Sequence, residues 1–153
     1  MKSHLLISAL AALGRAAPRA SRASPPAFFL AGDSTTAIVS TGGGGWGDGF
    51  LSFLTEHAQG ENLGHNGATT VSFVRDGDWA DLLRLVRKAH DQYDVFVTIQ
   101  FGHNDQKPEK GISLDEFQGN LEGLAKEVRE AGATPVGPPP AVVSEVCLHW
   151  ILI

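Results

Sequence analysis

At 153 residues and 42% hydrophobic content, the chain can bury one core and is too short for two. Only 19% of its residues are charged and 18 are glycine, which suits a globular fold with elaborated loops better than a coiled coil or a disordered chain. The net charge of -5 is uneven, because Lys2, Arg15, Arg19 and Arg22 precede Ser24 with no acid among them; the acidic remainder excludes a nucleic-acid partner, whose phosphates need a basic face.

Met1-Lys2-Ser3-His4, followed by the apolar run Leu5 to Leu13, has the charged start and short apolar core of a secretory signal and is too short to span a bilayer. Arg15 to Pro26 mixes arginine, serine, alanine and proline without periodicity, so residues 1–26 are expected to be a signal peptide and linker on a secreted protein. The single Cys147 can form no internal disulfide and does not identify the redox compartment.

The domain is expected over residues 27–136. Phe28-Phe29-Leu30-Ala31 reads as a first strand that breaks at Gly32, where the backbone can turn sharply and deliver Asp33-Ser34-Thr35 at the strand's end. After a glycine-rich loop, Asp48 is a suitable N-cap for a helix carrying Phe50, Leu51, Leu54 and Ala58, closed by Gly60. Asn62-Leu63 is a minimal second strand. Trp79, Leu82, Leu83 and Val86 fall at the spacing of an amphipathic helix. Val95 to Phe101 has almost no polar alternation, so it should be a central strand covered on both faces of a parallel sheet. Ser113 and Glu116 have the spacing of a capping box for a helix lined by Leu114, Phe117, Leu121, Leu124 and Val128, stopping at Gly132. Ala133 to Val136 opens a further strand that Gly137-Pro138-Pro139-Pro140 halts. Residues 137–153 are an atypical tail, apolar and without cap or periodicity.

The alternation of strand and helix gives a layered α/β domain, in which ligands bind beyond the carboxyl ends of the strands. Three polar loops lie there: Gly32-Asp33-Ser34-Thr35, Gly64-His65-Asn66-Gly67 and Gly102-His103-Asn104-Asp105. A serine hydroxyl becomes a nucleophile when a base takes its proton and donors hold the oxyanion it creates. Ser34 can supply the hydroxyl, and Gly67 N–H and the Asn104 amide can supply donors. Each residue alone has an ordinary explanation as a turn or cap; three such loops at one sheet edge are harder to explain that way. Gly42-x-Gly44-x-x-Gly47 matches a dinucleotide-binding spacing but stands too close to the first strand for a separate βαβ unit. The six histidines show no metal-ligand spacing.

These blocks, in order and spacing, resemble the SGNH (GDSL) hydrolases, and most closely the rhamnogalacturonan acetylesterase branch, where a glycine-rich stretch ends in Gly-Trp-Gly, here Gly45-Trp46-Gly47. The likeness runs from Phe28 to Val136. It implies a flavodoxin-like three-layer α/β/α fold with a parallel sheet, lacking here its last strand and helix. It also implies an ester hydrolase with Ser34 as nucleophile, an oxyanion hole of Ser34 N–H, Gly67 N–H and the Asn104 side chain, no cofactor, and an acetylated cell-wall polysaccharide as substrate. Lipase or lysophospholipase action and non-catalytic carbohydrate binding are the alternatives. The family takes its base from a late Asp-x-x-His; this sequence contains none, and Glu145 and His149 have the wrong spacing. The resemblance therefore implies a C-terminally incomplete chain of low activity.

Overall fold

The computed structural model describes residues 24–38 and 43–137. The chain runs β1 (Pro26–Gly32), α1 (Trp46–Leu51), β2 (Gln59–Asn62), α2 (Thr70–Arg75), α3 (Asp78–Ala89), β3 (Asp94–Gln100), a single 3-10 turn at Pro108–Lys110, α4 (Leu114–Glu130) and β4 (Thr134–Val136). The strands form one sheet in the order β2-β1-β3-β4, and every pairing is parallel. In the longest register Pro26 stands beside Asp94 and Gly32 beside Gln100, so the loops leaving β1 and β3 start level with each other.

Alternation along the strands decides the layers. Ala27, Phe29 and Ala31 of β1 and Val95, Val97 and Ile99 of β3 point to one face, as the two-residue period of a strand requires. There they join Phe73 of α2, Trp79, Leu82, Leu83 and Val86 of α3, and Leu124 and Val128 of α4 in one core. Burying each large side chain of this kind is worth about 1.5–3 kcal/mol. The even-numbered residues serve the other face, where Phe28 stacks on Phe96 at 5.3 Å and meets Phe50 of α1 edge-on at 5.2 Å. A helix layer thus lies on each side of the sheet, the three-layer arrangement expected.

Several local expectations need correction. α1 ends at Leu51 and is preceded by Gly45 rather than capped by Asp48, which lies in its first turn; Gly60 belongs to β2 and does not close a helix. Leu54 and Ala58 lie outside any helix. The short α1 covers only part of its face of the sheet, so Phe96 and Thr98 stay half-exposed while Val95, Val97 and Ile99 are buried; β3 is internal but fully covered on one side only. Ser113 does cap α4, accepting from Glu116 N–H at 3.1 Å, yet Leu114 is 52% exposed and takes no part in the core. Pro135 is accommodated because β4 is the outer strand of the described sheet, where a missing N–H costs least. α2 was not anticipated: Thr69 and Ser72 make a reciprocal cap without the usual Glu or Gln. Apart from residues 24–26 and Gly137, the expected leader and tail, with Glu145 and His149, lie outside the described residues.

Candidate active site

β1 ends in a tight turn built by Asp33. Its carbonyl accepts from Thr36 N–H and Ala37 N–H, both at 3.0 Å, and its buried carboxylate accepts from Thr35 N–H at 2.9 Å and the Thr35 hydroxyl at 2.8 Å. Ser34 is half-buried inside this turn. Gly32 stays in the strand and does not itself form the bend; a side chain there would collide with Thr36 and with the carbonyl of Gln100 at 2.8 Å. Thr36 in turn donates its hydroxyl to Gln100 Oε1 at 3.0 Å, and Trp46 Nε1 also donates to that oxygen. The turn is therefore fastened to the end of β3.

The second loop continues the pairing of β2 past its last residue. Leu63 N–H donates to Leu30 C=O at 2.9 Å and His65 N–H to Gly32 C=O at 3.0 Å, so this loop lies alongside the end of β1. Gly67 then turns the chain with φ of 77°, a left-handed value that favours glycine, and Ala68 N–H closes the turn on His65 C=O at 3.1 Å. The glycines before α1 also serve close packing: a side chain on Gly44 or Gly45 would strike the backbone of Ile38 or Thr35. That accounts for much of the Gly-rich spacing without a nucleotide.

The third loop is pinned from inside. Asn104 is 3% exposed; its Nδ2 donates to Ala68 C=O at 2.9 Å, and its Oδ1 accepts from Lys107 Nζ at 2.7 Å. Asp105, equally buried, accepts at one oxygen from Thr70 N–H at 2.8 Å and the Thr70 hydroxyl at 2.6 Å. Asn120 of α4 donates to the same hydroxyl at 3.0 Å. The other Asp105 oxygen is buried without a partner among the described residues. Burial pushes the Asp105 carboxyl above the usual carboxylate range; the Thr70 bonds oppose this, and nearby Asp33 adds to it.

Of the three residues singled out, Asn104 bonds the carbonyl of Ala68, the residue after Gly67. Ser34 lies two residues beyond Gly32, whose carbonyl accepts from His65 of the Gly67 loop and which pairs with Gln100 of β3. His103 lies exposed in its loop. Sequence reading missed Thr70 and Asn120, whose contacts form only when α2 and α4 pack, and Lys107, whose partner Asn104 lies three residues away in the same turn. It also missed His65, whose Nδ1 lies 2.6 Å from Asp78 Oδ2 and ties the Gly67 loop to the start of α3. Among the described residues no group of three His, Cys, Asp or Glu side chains could hold a metal, and no helix is long and apolar enough to cross a membrane.

Comparison with known proteins identifies relatives of the chain. A family model described as the GDSL-like Lipase/Acylhydrolase family matches residues 30–148. Rhamnogalacturonan acetylesterase RhgT of Bacillus subtilis (strain 168) is 38% identical over 115 residues, covering 73% of this chain and 47% of that protein. The isoamyl acetate-hydrolyzing esterase 1 homolog of Bos taurus is 32% identical over 140 residues, covering 81% of this chain and 53% of that one. The chain thus spans about half the length of these relatives. Among solved structures, protein YxiM of Bacillus subtilis superposes with a TM-score of 0.62 at 23% identity, over 75% of this chain and 32% of its own. TesA superposes with a TM-score of 0.53 at 21% identity, over 80% of this chain and 69% of its own.

Proposed function

Since the chain belongs to the GDSL-like lipase/acylhydrolase family, we propose that it is a carboxylic ester hydrolase acting through an acyl-serine intermediate, with Ser34 as nucleophile. In this reading the Ser34 hydroxyl attacks the ester carbonyl, and the oxyanion is held by Ser34 N–H, Gly67 N–H and the Asn104 amide. Each such donor lowers the barrier by about 3 kcal/mol. Collapse expels the alcohol, which leaves with the proton the Ser34 hydroxyl gives up through solvent, and water then cleaves the acyl-serine ester to release the acid and restore the hydroxyl. The observation that supports this best is the bond from Asn104 Nδ2 to Ala68 C=O at 2.9 Å, which fixes the loop after β3 to the residue following Gly67.

The substrate we propose is an O-acetyl ester of a rhamnogalacturonan-like polysaccharide. The name of the Bacillus subtilis relative at 38% identity supports it. A small free acetate ester is the second reading, favoured by the bovine relative that matches over 81% of this chain. Both names carry an acetyl group, so acetate is the acyl part in either case. A secreted location is the matching proposal, resting on the leader-like residues before Ser24.

No Asp-x-x-His occurs in the 153 residues, and serine enzymes deprived of triad members keep only about 10³–10⁴ over water. The 153-residue chain is therefore expected to hydrolyse p-nitrophenyl acetate weakly, and Ser34→Ala to remove the whole of that enzyme-specific rate. Rapid turnover abolished by Ser34→Ala would show that another base is present. A rate unchanged by Ser34→Ala would remove Ser34 from the mechanism.

A further inference from the structure

Building on the assignment of Asn104 as an oxyanion donor, we propose that Lys107 is a positioning residue that fixes the orientation of the Asn104 amide and strengthens its remaining N–H. Asn104 is buried between two partners of opposite kind: Ala68 C=O, which can only accept, lies 2.9 Å from Nδ2, and the Lys107 ammonium, which can only donate, lies 2.7 Å from Oδ1. Rotating the amide by half a turn would set carbonyl against carbonyl and N–H₂ against ammonium, so one orientation alone satisfies both contacts. With one Nδ2 proton committed to Ala68, the second is the one available to an oxyanion.

The ammonium at Oδ1 does more than hold the amide still. A cation bound to a carbonyl oxygen draws electron density from the C–N unit and makes the N–H groups better donors, the polarisation by which linked hydrogen bonds strengthen one another. It also places a positive charge one amide away from the developing negative charge, partly screened because Lys107 is half-buried while Asn104 is buried. Lys107 belongs to the same turn, with its N–H on Asn104 C=O at 3.2 Å, so the contact is built into the loop and needs no closure. Lys107 is a half-buried residue whose ammonium bonds Asn104 Oδ1, so its action passes through Asn104.

The test compares Lys107→Met, which keeps the apolar stem, with Lys107→Arg, which keeps a donor cation, after thermal melts have shown each variant folded. With p-nitrophenyl acetate, Met is expected to lower the Ser34-dependent kcat about tenfold with KM within twofold, and Arg to restore most of the loss. Independently of turnover, the side-chain amide of Asn104 is followed by ¹H–¹⁵N NMR, assigned with Asn104→Asp. In the parent and in Ser34→Ala its two protons should be widely separated, with one slow to exchange with solvent; in Lys107→Met the separation should shrink and exchange should speed at least tenfold. Unaltered Asn104 resonances in Lys107→Met would overturn the proposal whether or not the chain turns over. Altered resonances with an unaltered kcat would overturn its catalytic part. If no Ser34-dependent hydrolysis is found at all, the esterase reading fails by that result, and the NMR comparison alone decides whether Lys107 orients Asn104.

Discussion

Removing the Asp105 carboxylate sets two effects of opposite sign against each other. Asp105→Ala strands the Thr70 backbone N–H and the Thr70 hydroxyl, which bond one carboxylate oxygen at 2.8 and 2.6 Å. Thr70 is 1% exposed, so bulk water does not reach these donors, and each buried donor left unpaired costs about 1–3 kcal/mol. Against that stands relief of the burial penalty that raises the Asp105 pKa. Two stranded donors outweigh it, and a net loss of about 2–3 kcal/mol is expected at neutral pH. Asp105→Asn keeps an acceptor toward Thr70 and carries no charge, which isolates the second effect. Below the ordinary value of 3.8, Asp105 is protonated in both folded and unfolded chains and burial costs nothing. As pH rises above that value the unfolded chain loses its proton first, so parent stability relative to Asp105→Asn falls until the folded carboxyl ionises, and is flat beyond. Urea denaturation of all three proteins at a series of pH values measures this. A parent-to-Asn difference that is constant from about pH 3 to pH 8, or an Ala variant as stable as the parent throughout, would refute the account.

Two further substitutions probe the elements that carry the site. Gly64→Ala would press a methyl group onto Ala37 N at 2.5 Å and Ala37 Cα at 2.8 Å; since both are backbone, a loss of about 1–3 kcal/mol is expected by thermal or urea denaturation, and a neutral result would mean the Gly67 loop does not lie against the Ser34 turn. Phe73→Ala removes a fully buried ring that meets Phe101 at 5.1 Å and Trp79 at 6.5 Å, with an expected cost of about 3–5 kcal/mol. A loss below about 1 kcal/mol would show that α2 is not packed on the core.

What could be read from the sequence follows the range over which each interaction acts. β3 was legible because a run of apolar residues in a chain this size has few places to go, and α3 because Trp79, Leu82, Leu83 and Val86 repeat with the helical period; all four are buried. α1 was misjudged because Leu54 and Ala58 fit the period of a helix that the backbone abandons at Leu51. Its apolar spacing continues past its end because Leu54 sits over Gly60 of the edge strand, near the position a side chain there would occupy. α2 escaped notice because its cap is a Thr–Ser pair and its six residues are too few to show a period. At the site, Ser34, Gly67 and Asn104 stood out as residue types with chemistry attached. Lys107 and Asn120 did not, because lysine and asparagine in loops and helices are ordinarily solvated, and only their partners distinguish these two.

The two acids beside the site residues do the same job at different ranges. Asp33 precedes Ser34 and Asp105 follows Asn104, both are buried, and each uses one carboxylate oxygen to accept the N–H and the hydroxyl of a single threonine. For Asp33 the threonine is two residues away, so the Ser34 turn can form with β1 itself, as such local side-chain bonds do in isolated turns. For Asp105 it is 35 residues away, so the placement of Asn104 relative to Gly67 exists only once α2 has packed through Phe73. The Asn104 loop is therefore tied to the stability of one six-residue helix, while the Ser34 turn is bonded within itself. Damage to α2 should accordingly reach Asn104 first, with the Asn104 side-chain amide losing its protection in Phe73→Ala while the Thr35 N–H bonded to Asp33 keeps its own.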